Sequence, residues 1–282
     1  MKIITTIAEM QSLAESLRRS GKTIGFVPTM GFLHEGHLSL MRRAGQENDI
    51  VVASIFVNPT QFGPKEDLAK YPRDAEGDRK KCESAGVEYL FMPEVREMYP
   101  EEPTVFVQVE KITEVLDGAV RPGHFRGVAT VVTKLFNIVK PHRAYFGQKD
   151  FQQCAVIKRM VKGLDLDVEV VVLPTMREPD GLAMSSRNSY LSPEQRATAT
   201  VLYRALCAGE ELIGAGVHEP EKVRQKMRAV LLTVEGIGID YAEVADPDTL
   251  APLHAMQDRI VLLIAARIGS TRLIDNLHVT RG

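Results

Sequence analysis

Asp49-Ile-Val-Val-Ala-Ser-Ile-Phe-Val57 is apolar almost without interruption. A strand with one wet face alternates apolar and polar residues, so this stretch predicts a strand covered on both faces, as in a parallel sheet. Its neighbours in the chain fit the same plan. Thr23-Ile-Gly-Phe-Val27 reads as a short buried strand, followed by a Gly-containing loop and a helix starting near Gly36. Upstream, residues 4–19 carry Ile7, Met10, Leu13, Ala14 and Leu17 at helical spacing. Downstream, Asp74 to Ala85 reads as a helix and Val87 to Met92 as a strand. Apolar residues at 128, 131, 132, 135, 136 and 139 predict an amphipathic helix that stops before Pro141. The strand Arg143 to Phe146, the helix Phe151 to Lys162 and the strand Val168 to Leu173 complete the series. Strands alternating with helices of this length predict an α/β fold, a doubly wound Rossmann-like parallel sheet.

The pattern changes after Leu173. Ser192-Pro-Glu-Gln195 has an N-cap Ser, Pro at N1 and Gln at N3, so it opens a helix, expected to run to Gly214. A second helix, 219–234, precedes strands at 239–245, 259–266 and 271–279. A second, smaller α+β C-terminal domain is therefore expected, with the division at 1–175 and 176–282.

Composition excludes several classes. Of 282 residues, 44% are hydrophobic and 26% charged, the profile of a globular chain. A net charge of −2 argues against binding nucleic acid mainly through phosphate contacts. Cys82, Cys154 and Cys207 form no Cys-x-x-Cys pair, so no zinc ribbon or disulfide framework is predicted, which fits a reducing cytoplasm. The N-terminal apolar cluster is broken by Glu9 and Gln11, and Ile260 to Ala266 is too short to span a bilayer. No membrane association is expected.

The chemistry-bearing residues follow the strands. Pro28-Thr-Met-Gly-Phe-Leu-His-Glu-Gly-His37 lies at the carboxyl end of the first long strand, where open α/β sheets bind ligands. Gly31 and Gly36 permit close backbone approach, and the helix start offers N–H groups to phosphate. His34 and His37 fall on one side of a helical turn and can donate to oxygens gaining charge in a transition state. Other motifs fail here. A Walker A loop lacks its first Gly, Gly-x-Gly-x-x-Gly is absent, and His-Glu-Gly-His is one residue short of a zincin. Asn58 and Gln61, after the second long strand, are neutral amides suited to reading hydroxyls and a carboxylate. Gly147-Gln148-Lys149-Asp150 again joins a strand to a helix, with Lys149 placed for a phosphate and Gln153 one turn on. Met184-Ser185-Ser186-Arg187 supplies two hydroxyls before a guanidinium, a clamp for polyphosphate. Arg121-Pro-Gly-His124-Phe-Arg126 is a further candidate, equally open to a structural reading.

Five segments, PTMGFLHEGHLSL, FVNPTQF, RPGHFRG, YFGQKDFQQ and DGLAMSSRNSYL, occurring in this order, resemble the pantothenate synthetase (pantoate–β-alanine ligase) family over essentially the whole chain. His34-Glu-Gly-His37 also resembles the His-x-Gly-His signature of the nucleotidyltransferase superfamily, and Met184 to Arg187 its second signature loop. The resemblance implies ATP-dependent condensation of (R)-pantoate with β-alanine to pantothenate, AMP and pyrophosphate, through an enzyme-bound pantoyl adenylate, with Mg²⁺. It implies that ATP is held by Met30, Gly31, Phe32, Leu33, His34, Glu35, Gly36 and His37, by Gly147, Gln148, Lys149 and Asp150, by Met176, and by Met184, Ser185, Ser186 and Arg187. The catalytic roles fall to His37, His34, Lys149 and Arg187. Gln61, Gln153, Asn58, Pro28 and Thr29 are the substrate-binding expectations, and the Mg²⁺ ligands are not identified. A cytoplasmic homodimer is implied, with the second domain as a lid. The rival enzyme reading is an adenylyltransferase that leaves AMP on a phosphorylated coenzyme precursor, which would want a basic acceptor pocket. A non-catalytic nucleotide sensor is the rival of another class.

Overall fold

The computed structural model describes residues 1–64 and 66–281. Its elements run β1 (Lys2–Ile4), α1 (Ile7–Arg19), β2 (Ile24–Thr29), α2 (Glu35–Glu47), β3 (Ile50–Ile55), α3 (Ala75–Ser84), β4 (Tyr89–Phe91), α4 (Val95–Met98), α5 (Asp117–Val120), α6 (His124–Val139) and β5 (Arg143–Gly147). Then follow α7 (Phe151–Gly163), β6 (Glu169–Leu173), α8 (Pro193–Thr198), α9 (Val201–Gly214), α10 (Pro220–Leu231), β7 (Gly238–Ala245), β8 (Arg259–Ile268) and β9 (Thr271–Thr280).

Two compact units result. The first comprises Met1–Glu110, Arg121–Gly147 and Gln153–Pro174; the second comprises Lys111–Val120, Gln148–Gln152 and Thr175–Gly282. The second unit therefore takes up two short segments from the first half of the chain.

In the first unit six strands form a parallel sheet in the order β1-β4-β3-β2-β5-β6. Burial on both faces explains the unbroken apolar run of β3. Val52 joins Ile24 and Phe26 in a core with α1, α6 and α7, whereas Val51 and Ala53 join Val27 in a core with α2 and α3. Successive residues thus alternate between two apolar layers. The chain moves from β2 outward to β3 and β4, then returns to place β5 on the other side of β2. The reversal between β2 and β5 is the topological switch point, outside whose carboxyl ends such sheets bind ligands.

In the second unit β7-β8-β9 form an antiparallel sheet. One face packs on α9 and α10 through Leu202, Leu206, Met227, Leu262, Ile264 and Leu273. On β9 Arg272, Asn276 and His278 face the two early segments. Arg272 pairs with Asp117 at 2.5 Å, and His278 meets the Phe151 ring edge-on at 4.8 Å.

Two elements differ from the sequence reading. Lys2–Ile4 is a strand, and the first helix starts at Ile7, with Thr6 as its N-cap. Three residues carry too little periodicity to show a strand. The helix opened by Ser192 breaks between α8 and α9, because the N–H of Leu202 bonds to the Ala199 carbonyl and tightens the turn. Ala199 and Thr200 remain right-handed, so no breaker residue marks the place.

Candidate active site

In the first unit, β2 ends at Thr29 and the chain turns through Met30–His34 into α2. The turn needs left-handed backbone at Gly31 (φ 83°) and Phe32 (φ 51°). The second is costly for a residue with a side chain and must be held by its surroundings. The holder is Asp78 of α3, 1% exposed, whose two oxygens accept from the N–H groups of Phe32 and Leu33, both at 2.7 Å. Lys81, one turn on, donates to the Leu33 carbonyl at 2.7 Å. Thr29 donates its hydroxyl to the Ser54 carbonyl at 2.7 Å and accepts from the Gly31 N–H at 3.2 Å.

The N–H groups of Phe32 and Leu33 are taken by Asp78 and that of Gly31 by Thr29, so the donors the helix start can offer are those of Glu35 and Gly36. His34 is the N-cap of α2, and its N–H donates to His37 Nδ1 at 3.3 Å. In a neutral ring that bond leaves the proton on Nε2, so His37 presents Nε2–H as a donor. The two rings lie with centroids 4.1 Å apart. The Arg42 guanidinium pairs with Glu35 and holds its carboxyl below the usual range.

After β3, Asn58 caps the turn Pro59–Gln61. Its Nδ2 donates to Gln61 Oε1 at 3.1 Å and to the Gly127 carbonyl at 3.2 Å, while its Oδ1 accepts from the Thr60 hydroxyl and from Tyr99. Asn58 is 1% exposed with its polar atoms so engaged, so it orients Gln61. Gln61 Nε2 lies 3.0 Å from Met30 Sδ, which brings the turns after β2 and β3 together. In the Arg121 motif two side chains brace the turn after β3. His124 Nδ1 donates to the Gln61 carbonyl at 2.8 Å, and Arg121 donates to His124 Nε2 at 3.1 Å. Glu66 in turn binds the Arg121 fork at 2.6 and 2.7 Å. Burial opposes ionisation of Glu66, yet Arg121 holds its carboxyl below the usual range. Gly127 lets α6 approach, since a Cβ there would lie 2.4 Å from the Thr60 carbonyl oxygen.

In the second unit, Gln148–Asp150 form a single turn directly after β5. Lys149 Nζ lies 3.2 Å from Asp150 Oδ1. Gln152 is buried and structural, donating to the carbonyls of Ile112 and Val115 at 2.8 and 2.9 Å; Gln153 is half-buried beside it. Past β6, the carbonyl of Met176 accepts from the Met184 N–H at 2.9 Å, and Arg177 bridges to Ala183. This narrow hairpin presents Met184–Arg187. Ser185 caps the turn Ser186–Tyr190, its hydroxyl accepting from the Arg187 N–H at 3.3 Å. Asp180, at the hairpin tip, is held below its ordinary value by Arg196. The sequence reading did not find the buried anchors Asp78, Asp275 and Asn276, because no local pattern marks them.

Among the described residues no group of three or more His, Cys, Asp and Glu could hold a metal ion, and no helix is long and apolar enough to cross a membrane.

A doubly wound parallel sheet with paired imidazoles after β2 and neutral amides after β3 defines a Rossmann-like α/β protein. Comparison with known proteins narrows the class. The family model described as pantoate-beta-alanine ligase matches residues 2–278. The chain is 56% identical to the pantothenate synthetase of Thermotoga petrophila over 276 residues, 98% of this chain and 99% of that one. The crystal structure of pantothenate synthetase from Thermus thermophilus superposes with a TM-score of 0.94 at 51% identity, covering 98% of this chain and 99% of that one. A pantoate-beta-alanine ligase from Francisella tularensis, complexed with beta-gamma ATP and beta-alanine, superposes with a TM-score of 0.81 at 37% identity, over 98% and 97% of the two chains. The chain belongs to the pantoate–β-alanine ligase family.

Proposed function

We propose that the chain joins (R)-pantoate to β-alanine at the expense of ATP, with the residues below in the stated roles. The observation that carries the assignment is the His34–His37 pair at the carboxyl end of β2, beside the switch point, with Gln61 held against Met30 in the same unit. The Francisella relative's complex with a nucleotide and beta-alanine supports it.

A carboxylate does not condense with an amine in water unless it is activated. A pantoate carboxylate oxygen attacks the α-phosphorus of ATP, and the bond from that phosphorus to pyrophosphate breaks. The amine of β-alanine then attacks the acyl carbon of the adenylate, and the acyl C–O bond breaks to release AMP. The protein supplies position and charge stabilisation. His37 Nε2–H donates to phosphate oxygens as they gain charge, with His34 alongside. Lys149 and Arg187 act on the polyphosphate. Met30–His37, Gly147–Asp150, Met176 and Met184–Arg187 hold the nucleotide; within the first turn, Glu35 and Gly36 bring the N–H groups. Gln61 and Gln153 read pantoate, with Gln61 also near β-alanine. Asn58 serves by orienting Gln61, and Pro28 and Thr29 shape the end of β2 beneath it.

Mg²⁺ is usually held through substrate phosphates and one or two carboxylates. Asp150, the acid in the Lys149 turn, would hold it there, and the bound ion would offset charge on the leaving pyrophosphate. A homodimer in the cytoplasm completes the proposal.

The test is pantoate-dependent exchange of labelled pyrophosphate into ATP without β-alanine, followed by AMP release when β-alanine is added. Exchange and AMP release in equal measure with pantothenate are expected. AMP retained on the product would favour the adenylyltransferase, and ATP binding without exchange would favour a sensor.

A further inference from the structure

We propose that Asp275 and Asn276, adjacent on β9, are positioning residues that set the shape of both nucleotide-binding turns of the second unit. The inference rests on the assignment of Lys149 and Arg187 to ATP made above.

Consecutive strand residues point to opposite faces. Asp275 is 3% exposed and Asn276 2% exposed, so two polar side chains are buried back to back in the middle of a strand. Burying such groups is costly unless each is bonded. Each is bonded to a different functional turn. Asn276 Nδ2 donates to the carbonyls of Gln148 and Lys149, both at 2.9 Å, which spends both its amide hydrogens on the turn that carries Lys149. Its Oδ1 is buried with no partner among the described residues. A residue present only to fill space would be apolar there, as Ile274 is on the same face of the strand. The orphaned oxygen is the cost of keeping the two donors.

On the opposite face, Asp275 grips the Arg177 fork at 2.7 and 2.9 Å. Arg177 also donates to the carbonyls of Gly181 at 3.0 Å and Asn276 at 3.2 Å, and its guanidinium lies 3.9 Å over the Tyr203 ring. Arg177 sits in the first arm of the 176–184 hairpin, bridged to Ala183. The grip therefore fixes the arm from which Met184–Arg187 emerge. Burial pushes the Asp275 carboxyl above its ordinary value, with Arg177 opposing, as expected for a carboxylate placed inside for its geometry.

The experiment is a pair of double-mutant cycles read by pyrophosphate exchange. In one, Asn276→Ala is made alone and with Lys149→Ala; in the other, Asp275→Asn is made alone and with Arg187→Ala. Each single anchor variant is expected to lower kcat/KM for ATP about 10²-fold, the scale of misplacing a reacting group by an ångström. In the Lys149→Ala or Arg187→Ala background the same substitution should change little, because it acts through the residue already removed. His278→Ala, also on β9 but contacting the Phe151 ring, controls for loss of packing and should leave KM for ATP unchanged. Should Asn276→Ala not fold, Asn276→Ser, which keeps one donor, replaces it in the cycle. Fully additive losses, or anchor variants with normal kcat/KM, would overturn the proposal. If Lys149→Ala and Arg187→Ala themselves leave exchange intact, the underlying ATP assignment fails instead.

Discussion

The turn after β2 and the turns after β5 and β6 are assigned to the same ligand, yet they are built by opposite means. In the first unit a buried carboxylate, Asp78, gathers backbone N–H groups, and Lys81 fixes a carbonyl beside them. In the second unit a buried amide, Asn276, gathers carbonyls, and Asp275 acts through an arginine. The first device takes up the N–H groups of Phe32 and Leu33 ahead of the helix and leaves those of Glu35 and Gly36 at its start, beside the two imidazoles. The second takes up acceptors beside Lys149, so that carbonyls turned toward Asn276 do not compete with an anion for the ammonium. In both regions the residues that would touch ligand sit on the turn, and a residue distant in sequence decides the shape of that turn.

The sharpest break in this comparison is chemical. His37→Ala is expected to lower adenylation by about 10²–10³-fold with the fold retained, the scale of losing one aimed donor. Pyrophosphate exchange measures it. A variant with near-normal exchange would remove the imidazoles from their place in the first turn, and leave Lys149 and Arg187 as the centre of the chemistry.

Asp78→Ala comes next. It strands the N–H groups of Phe32 and Leu33 inside the protein, where an unmet donor costs about 1–3 kcal/mol. A loss of about 3 kcal/mol in unfolding free energy is expected, read by denaturant titration. Asn276→Ala should cost less stability. A carbonyl has two lone pairs and tolerates underuse better than an N–H does, and the substitution also deletes the orphaned Oδ1. Equal losses would show that the two devices are not of opposite kind.

Gly127→Ala probes the third turn, after β3. The added methyl would meet the Thr60 carbonyl at 2.4 Å and the Gln61 backbone at 2.6 Å. Overpacking of this kind costs about 1–3 kcal/mol. Calorimetry of pantoate binding should show weaker affinity, because Gln61 moves, while ATP affinity stays close to normal. If ATP affinity falls in step with that of pantoate, the turn after β3 belongs functionally with the turn after β2.

How much of this the sequence revealed follows from where each signal lives. Helices α6 and α10 announce themselves through apolar periodicity and strands β3 and β8 through unbroken apolar runs, both of which are local. The motif turns are visible because Gly, His, Lys and Arg cluster at strand ends. The anchors are invisible for a physical reason. Asp78 lies in Ala-Glu-Gly-Asp-Arg-Lys-Lys-Cys-Glu-Ser, which reads as a wet helix; its burial depends on a turn 46 residues earlier. Asp275-Asn276 breaks the alternation of its strand, and both faces are claimed by segments about 100 residues away or more. Likewise, nothing in residues 111–120 signals that they join the second unit, because that depends on Asp117 meeting Arg272 and Tyr241.

The smallest effect concerns a second carboxylate that accepts from backbone N–H, as Asp78 does, but is set in solvent. Asp49, just before β3, accepts from the Thr23 N–H at 2.9 Å and hydroxyl at 2.8 Å, with Lys22 at 3.3 Å. The backbone bond from Thr23, then its hydroxyl and Lys22, pull its pKa down to about 2. A carboxyl whose folded value is depressed stabilises the fold at pH above its unfolded value of about 4, and that contribution fades as pH falls toward 2. Asp49→Asn should therefore be slightly less stable than wild type at neutral pH, with the gap closing as pH drops through that window. Because Asp49 lies at the amino end of the sheet, the variant should keep full pyrophosphate exchange. A loss of exchange, or a gap that persists below pH 2, would mean that the carboxylate at the amino end is coupled to the turns at the other, and that burial is not what separates Asp78 from Asp49.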